Sequence, residues 1–211
     1  MEIEKLKESI IKSLLKIAKT GEKEKGAIVV FGGLPNHKSL KEKNNIHPFY
    51  ILNDLNLFES LCIIDGAVII DENGILKDYA VMLETTKVFV GYGTRHSASI
   101  STSLQKDVIY VFLASASERK VKIFQKGEII MQIDALEKGI EKKVSEISDI
   151  LSSLGVGTLG FITAPFLGIV GITLISGVLI FGGSHYLLKK LEIFEKTSNK
   201  ISEFFKRWDR K

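Results

Sequence analysis

A run of 39 residues without Asp, Glu, Lys or Arg, from Ile150 to Leu188, constrains this chain more than any other feature. A membrane-spanning helix takes about 20 apolar residues, so the run is too long for one span and suits two short helices joined by a tight turn. The expected break lies at residues 163–166, because Pro165 does not continue a helix easily. The sequence therefore predicts a transmembrane helical hairpin over residues 150–188.

The tail that follows this run agrees with a membrane anchor. Residues 189–211 carry eight basic and four acidic residues, and basic flanks prefer the cytoplasmic side of a membrane. Phe204, Phe205 and Trp208 lie among lysines and arginines, which is typical of a basic amphipathic tail at a membrane interface. The alternative for residues 150–188 is a buried hairpin in the core of a soluble protein.

Length and charge limit what the rest of the chain can be. The 211 residues can hold one ordinary domain with something small beside it. A net charge of +4, spread along the chain, is too weak to indicate a nucleic-acid partner. The single cysteine, Cys62, excludes a disulfide within the chain and favours a reducing, cytoplasmic setting. Charged residues near the N-terminus interrupt the apolar core that a secretory signal needs.

Apolar periodicity predicts an α/β domain before the uncharged run. Steps of three and four predict an amphipathic helix over residues 2–19, within an N-terminal segment 1–24. A second helix is predicted to open at Thr94 or Arg95, and residues 34–48 are predicted mostly as loop. The predicted strands are 27–31, 67–70, 75–82, 108–113, 121–125 and 128–133.

These elements define the fold class. Residues 25–135 are predicted to form one domain with a mixed β-sheet flanked by helices. Apolar residues recur at steps of three and four from Ile133 to Leu154, which predicts a long amphipathic helix with residues 136–149 as a helical stalk. The stalk leads to the C-terminal transmembrane helical hairpin.

Asp65-Gly66-Ala67 is the first cluster that indicates chemistry. The aspartate precedes two small residues at the edge of an apolar strand, where its carboxylate can hold a divalent ion against a ligand packed on the backbone. Asp-Gly is also a common turn, so this cluster alone favours a structural role.

The stretch from Gly91 to Ser97 is the second cluster, with two glycines, two hydroxyls, a guanidinium and an imidazole in seven residues. If a helix opens here, its first N–H groups, the Thr94 hydroxyl and the Arg95 fork converge on one anion, of which phosphate is the natural example. A dinucleotide-binding fingerprint is excluded, because the third glycine and the following apolar helix are missing.

Together, Asp65-Gly66-Ala67 and Gly93-Thr94-Arg95-His96 resemble the paired motifs of the diadenylate cyclase family, whose members make cyclic di-AMP from ATP. His47-Pro48-Phe49 is similar to the family's loop ahead of the first motif, and Asp107 keeps the expected spacing after His96. The resemblance covers residues 25–133.

The resemblance implies a role for each matching residue. Asp65 would be catalytic and would bind Mg²⁺ or Mn²⁺ while it orients the attacking 3′-hydroxyl. Arg95 and His96 would be the other catalytic residues and would grip the polyphosphate with Thr94. The remaining substrate-binding positions implied are Gly66, Ala67, Gly93, Ser97 and Ser115.

The chain departs from the family pattern at two places. Ser97 replaces a second arginine, and Ala114-Ser115-Ala116-Ser117 replaces a serine followed by an acidic pair, for which Glu118 is the candidate substitute. The sequence therefore predicts a membrane-tethered diadenylate cyclase that acts as a homodimer on ATP, with its catalytic domain in the cytoplasm. A nucleotide sensor of the same fold and a Gly-rich membrane scaffold are the alternatives.

Overall fold

A mixed β-sheet forms the core of the described structure. The computed structural model describes residues 2–21, 26–40, 46–85, 89, 91, 93–154 and 172–173. In the described part the sheet order is β2-β4-β3-β1-β5-β6-β7-β8. The strands are β1 (Gly26–Gly32), β2 (His37–Ser39), β3 (Ala67–Ile70), β4 (Leu76–Leu83), β5 (Val108–Ser115), β6 (Lys120–Gln125), β7 (Glu128–Asp134) and β8 (Ile172–Thr173). The helices are α1 (Glu2–Lys19), α2 (Leu55–Cys62), α3 (Thr94–Ser103) and α4 (Ile140–Leu154), with a 3₁₀ turn at Ile51–Asn53.

Helices on both faces bury the middle of the sheet. β1 pairs in parallel with β3 and antiparallel with β5, and residues 27–31 of β1 are all buried. A strand covered on both faces is apolar throughout, which explains the continuous run that predicted β1. The predicted mixed α/β domain is confirmed.

α1 covers one face of the sheet, and the predicted helix over residues 2–19 is confirmed. Its apolar stripe includes Ile10, Ile11 and Leu14, each fully buried. Lys7 is also buried, and its Nζ lies 5.1 Å from the ring centroid of Tyr110 in β5. Burial lowers the Lys7 pKa, against an opposing effect of Glu4. The helix is therefore an integral part of the domain.

α3 covers the opposite face, and it begins at Thr94 as predicted. Ala98 and Ile100 join one apolar cluster with side chains of β1, β3, β4, β5 and β6. Most of the remaining buried positions on α3 are serine or threonine. Small side chains let the helix lie close to the sheet, which brings its first turn to the strand ends.

Neither β2 nor α2 was predicted from the sequence. β2 lies inside the stretch predicted mostly as loop and pairs with β4 from His37 to Ser39. α2 follows Asp54, whose carboxylate caps it by accepting a hydrogen bond from the Leu57 N–H at 2.9 Å. Cys62, the last residue of α2, is buried. That burial raises the pKa of its thiol.

The predicted long helix from Ile133 is wrong in its first part, because α4 begins at Ile140. Residues 135–139 form turns, and Gly139 adopts a φ of +76° that ends any continuous helix there. α4 runs antiparallel to α1, since Ser148 donates to the Glu4 carbonyl at 2.6 Å while Glu141 pairs with Lys19. Residues 140–148 of the predicted stalk thus pack on the domain.

The chain divides into two compact units. One contains Met1–Ser148 and Ala164–Gly177, and the other contains Asp149–Thr163 and Val178–Lys211. No helix within the described residues is long and apolar enough to span a membrane. Ile172–Thr173 forms the short strand β8, antiparallel to β7, so these two residues of the predicted hairpin are extended. Residues 150–154 of the predicted hairpin form the end of α4. Its remaining residues and the basic tail, 155–171 and 174–211, lie outside the described residues.

Candidate active site

Asp65 lies exposed at the entrance to β3. Its Oδ1 accepts a hydrogen bond from the Gly66 N–H at 3.1 Å. Gly66 has a φ of +108°, and a Cβ added there would lie 2.7 Å from the backbone nitrogen of Val81. Any other residue would therefore disturb the pairing of β3 with β4, while Ala67 is buried in that pairing. The two small residues fix the position of Asp65.

The first turn of α3 presents the second cluster. Gly93 is the N-cap and has an extended conformation without a side-chain cap. Thr94 and Arg95 are exposed, and His96 is half-buried. The N–H groups at the start of a helix and its positive dipole end favour an anion. Arg95 adds a planar fork suited to phosphate.

One cavity of about 450 Å³ joins the two clusters. Asp65 forms part of its wall, the first turn of α3 forms another, and the end of β5 with the following turn forms the third. The lining residues are Asp65, Gly93, Thr94, Arg95, His96, Leu113, Ala114, Ser115, Ala116 and Ser117. The structure thus brings together six of the residues singled out from the sequence: Asp65, Gly93, Thr94, Arg95, His96 and Ser115.

Gly66, Ala67 and Ser97 are not part of this lining. Ser97 is 1% exposed, and its hydroxyl accepts a hydrogen bond from the Phe89 N–H at 3.2 Å. Its structural task is to hold the segment before α3. Ser115 is nearly buried, and its hydroxyl lies 3.3 Å from that of Ser117.

Gly26 is a feature of the site that sequence reasoning missed. It pairs with Ser115 in the β1–β5 ladder. A Cβ added to Gly26 would lie 3.0 Å from Arg95 Nη1 and 3.0 Å from the Ala114 carbonyl oxygen. The absence of a side chain at this position therefore makes room for the guanidinium beside the cavity.

The contact of His96 with Lys122 and Glu118 was also not predicted from the sequence. Lys122 in β6 is 6% exposed, and its Nζ lies 2.7 Å from His96 Nε2 and 2.6 Å from Glu118 Oε2. His96 Nε2 lies 3.5 Å from Glu118 Oε1. A lysine between Val121 and Ile123, in the interior of β6, is the signal that could have drawn attention to it.

Burial and charge change the pKa values of His96 and Glu118. Burial lowers the His96 pKa, the charge of Lys122 lowers it further, and Glu118 opposes both. Partial burial acts to raise the Glu118 pKa, but the hydrogen bond and charge of Lys122 outweigh it and hold that pKa below its usual range. His96 is therefore neutral and Glu118 ionised at neutral pH.

A divalent ion is the cofactor that the resemblance implies. Within the described residues, no three His, Cys, Asp or Glu side chains form a metal-binding group. Mg²⁺ is usually held by one or two carboxylates together with substrate phosphates and waters. Asp65, on a cavity wall opposite a helix N-terminus, fits an ion bound mainly by a nucleotide's phosphates.

A family model assigns this domain. The model described as "DisA bacterial checkpoint controller nucleotide-binding", or DAC, matches residues 16–129, more than half of the chain. The chain belongs to this family. The predicted resemblance to the diadenylate cyclases is confirmed. The DAC match begins inside α1 and ends in β7, so α4 lies beyond it.

Two solved structures are similar to this DAC chain. A double mutant of DacA from Staphylococcus aureus is 22% identical over 68% of this chain and 95% of its own, with a TM-score of 0.43. A hypothetical membrane spanning protein from Bacillus cereus is 20% identical over 57% of this chain and 59% of its own, also with a TM-score of 0.43. No curated protein matches the chain at a significant level.

Proposed function

We propose that this chain is a diadenylate cyclase, which condenses two ATP molecules into cyclic di-AMP and releases two pyrophosphates. The observation that carries the proposal is the single cavity that joins Asp65 to the first turn of α3 within a DAC domain. Its volume of about 450 Å³ is within the range of small-molecule sites. We infer that each copy of the chain holds one ATP.

The residues on the cavity wall suit nucleotidyl transfer. In each step the 3′-oxygen of one ATP attacks the α-phosphorus of the other, the bond to pyrophosphate breaks, and the hydroxyl proton leaves. Such reactions depend on positioning and on neutralising charge. Arg95 and the N–H groups of the first α3 turn would bind the polyphosphate and stabilise the charge that grows on the leaving group. Thr94 would add a hydroxyl contact.

Asp65 would hold Mg²⁺ or Mn²⁺ together with the phosphates, and the ion would supply a Lewis acid for the α-phosphate and the attacking oxygen. Asp65 would also keep the 3′-hydroxyl in line. The Gly66 N–H fixes one oxygen of that carboxylate, which supports a set orientation of the side chain.

A nucleotide sensor of the same fold is the second candidate. Glu118, the candidate substitute for the family's acidic pair, is bound to Lys122 at 2.6 Å. Ala116 and Ser117 follow Ser115 on the cavity wall, where the family pattern has its acidic pair. A site with fewer acids for metal binding would bind ATP and turn it over slowly or not at all.

The deciding experiment incubates the purified full chain with ATP and Mn²⁺, and separately with Mg²⁺, and follows cyclic di-AMP by chromatography and mass. Glu72→Gln is a matched control, since Glu72 is exposed on the β3–β4 turn. Product from wild type and the control supports the cyclase. ATP binding without product supports the nucleotide sensor. If the chain neither binds ATP nor forms product, the membrane scaffold is the remaining alternative.

We further propose that the uncharged run within residues 150–188 anchors the chain in a membrane, with the DAC domain on the cytoplasmic side and two copies face to face. In the anchored form Ile172–Thr173 would leave the edge of the sheet at β7. The uncharged run and the basic tail support the anchor. The full chain should then partition into the detergent phase of a two-phase extraction. Recovery in the aqueous phase would contradict the anchor.

A further inference from the structure

The contact between Lys122 and His96 has a chemical consequence for the site. Lys122 Nζ lies 2.7 Å from His96 Nε2, which is hydrogen-bond distance. An ammonium group has three donors and no acceptor. Nε2 must therefore accept this hydrogen bond and carries no proton.

A neutral imidazole has one proton, so the other nitrogen, Nδ1, must hold it. We propose that Lys122, held in place by Glu118, is a positioning residue that locks His96 in the neutral form protonated at Nδ1. The imidazole on the cavity wall then acts as a neutral donor, and is neither a general base at Nε2 nor a cation. Its meaning for catalysis rests on the proposed function, whereas the protonation state itself does not.

The surroundings of His96 support this state. Lys122 reaches the ring from β6, and Glu118 reaches it from the turn between β5 and β6 at 3.5 Å. Arg95 precedes it on α3, and Lys120 acts on Glu118 from the start of β6. The ring of Phe124 meets the imidazole edge-on at 6.4 Å between centroids, so one side of the imidazole is apolar.

Burial explains why the lock is strong. Lys122 is 6% exposed and cannot satisfy its donors with bulk water. Protonation of Nε2 would place two donors against each other and break the contact. Glu118 alone would attract a proton to His96, and Lys122 opposes this in addition to burial of the ring.

The test records nitrogen chemical shifts of histidine in the full chain, labelled at histidine, between about pH 5 and pH 8. His96→Gln identifies the His96 signals among those of the four histidines. We compare wild type with Lys122→Met, which keeps most of the length of the side chain and removes its donors and charge. Lys126→Met removes a lysine from the exposed turn of the same hairpin and is the matched control.

Wild type and Lys126→Met should show protonation at Nδ1, with the pKa of His96 below its ordinary value. Lys122→Met should raise that pKa, because Glu118 is then the nearest charge. Glu118→Gln should lower it further, because the lysine charge is then unopposed. A site that merely loosened would expose His96 and raise its pKa in both variants. Opposite shifts of the His96 pKa therefore separate the proposed lock from a loss of structure. Glu118 is 40% exposed, and its variant decides the question if Lys122→Met does not fold.

Nucleotide binding provides the functional arm. The probe is 3′-deoxy-ATP, which lacks the attacking hydroxyl, measured by calorimetry. In Lys122→Met, a cationic His96 should tighten binding about threefold or more as the pH falls through its pKa, while wild type stays nearly flat. A wild-type His96 protonated at Nε2, or an unchanged titration in Lys122→Met, would overturn the inference. If His96 is protonated at Nδ1 but the chain makes no cyclic di-AMP, the inference stands and only the proposed cyclase activity is refuted.

Discussion

Asp65 is a single carboxylate whose charge can be removed without moving the backbone around it. Asp65→Asn keeps an oxygen for the Gly66 N–H and changes the volume very little. We expect cyclic di-AMP formation to fall about a hundredfold or more, because a metal-binding charge is lost, while the thermal midpoint stays unchanged. Glu72→Gln should retain full activity. Wild-type rates in Asp65→Asn would exclude a metal role for this residue.

Gly26 contributes to the site because it has no side chain, which leaves room for the Arg95 guanidinium. In Gly26→Ala the new methyl group would meet Arg95 Nη1 at 3.0 Å, and the flexible arginine would move first. We expect kcat/KM for ATP to fall about tenfold, because a small displacement of a phosphate-binding group is costly. Stability should change little, since the advantage of alanine over glycine in a strand is opposed by the close contact of the methyl group with the Ala114 carbonyl oxygen at 3.0 Å.

The same variant in an Arg95→Lys background separates this route from a general disturbance of β1. Arg95→Lys should itself impair turnover, since a point charge does not reproduce the planar fork. If Gly26 acts through the guanidinium, Gly26→Ala should add little in that background. A full tenfold loss in both backgrounds would show that Gly26 acts on the strand.

The residues of the site differ in how far the sequence reveals them. Asp65 and the Thr94–His96 cluster are contiguous motifs, so their chemistry is visible before any fold is known. Gly26 and Lys122 lie beside Arg95 and His96 of the cavity wall only because β1 and β6 both pair with β5. That strand pairing joins residues far apart in the chain, so no local sequence pattern predicts it.

At the level of elements, α3 carries a buried polar face that divides into satisfied and unsatisfied hydroxyls. Ser97 accepts from the Phe89 N–H at 3.2 Å. The hydroxyls of Ser101 and Thr102 are buried and have no hydrogen-bond partner among the described residues. A buried hydroxyl without a partner costs free energy, whereas a satisfied one stabilises the fold.

Two alanine variants on this helix should therefore have opposite effects. Ser101→Ala should raise the free energy of unfolding by about 1 kcal/mol, and Ser97→Ala should lower it by about the same amount, because the Phe89 N–H loses its acceptor. Chemical denaturation followed by circular dichroism measures both. Changes of the same sign would mean that helix propensity, and not hydrogen bonding, decides stability here.

The β3–β4 hairpin depends on the carboxylate of Asp71. Its Oδ1 accepts from the N–H groups of Asn73 at 3.0 Å and Ile75 at 2.8 Å, and its Oδ2 pairs with Lys77 at 2.8 Å. Burial acts to raise the Asp71 pKa, but these hydrogen bonds and the lysine charge outweigh it and hold the pKa below its ordinary value of 3.8. The native state thus favours the ionised form.

Because the folded pKa is lowered, the stabilisation is complete above pH 3.8 and is lost as the pH falls through the folded value. Asp71→Asn keeps one acceptor oxygen and loses the ion pair. We expect it to cost about 1 kcal/mol at neutral pH and to match wild type in strong acid. Denaturation curves across this window provide the measurement, and a constant difference at every pH would exclude the ionised carboxylate as the cause.

The extent of each element was predictable where local signals agree. The Asn73-Gly74 turn and the glycine before Thr94 set the hairpin and the start of α3 correctly. The apolar repeat from Ile133 misled, because Ile133 belongs to β7 and Leu136 lies exposed in the turn that follows. The apolar period of three to four continues by chance from the end of β7 into α4. Only Gly139, with its left-handed backbone conformation, marks where α4 begins.

On the scale of the whole molecule, α4 changes where the domain ends. The pairing of Ser148 with Glu4 and of Glu141 with Lys19 joins the two ends of the larger unit. Ile140, Val144 and Ile147 are buried there. A fragment for study should therefore extend to residue 154, since one that stops at residue 135 would expose the surface these residues cover.

The last prediction concerns the number of chains in one active site. Cyclic di-AMP has two identical halves joined by two identical linkages, so the simplest site consists of two half-sites related by a two-fold axis. Each copy would hold one ATP between Asp65 and the start of α3. At a fixed wild-type concentration, adding excess Asp65→Asn should draw wild-type chains into mixed pairs and lower total activity several-fold. The Asp65→Asn chain keeps the fold, so it competes as a partner, and bovine serum albumin at equal mass controls for crowding. The inhibition should weaken when both chains are diluted, because mixed pairs then dissociate. Total activity that stays constant at every ratio of variant to wild type would mean that one chain closes the ring alone, and the face-to-face arrangement would have to be abandoned.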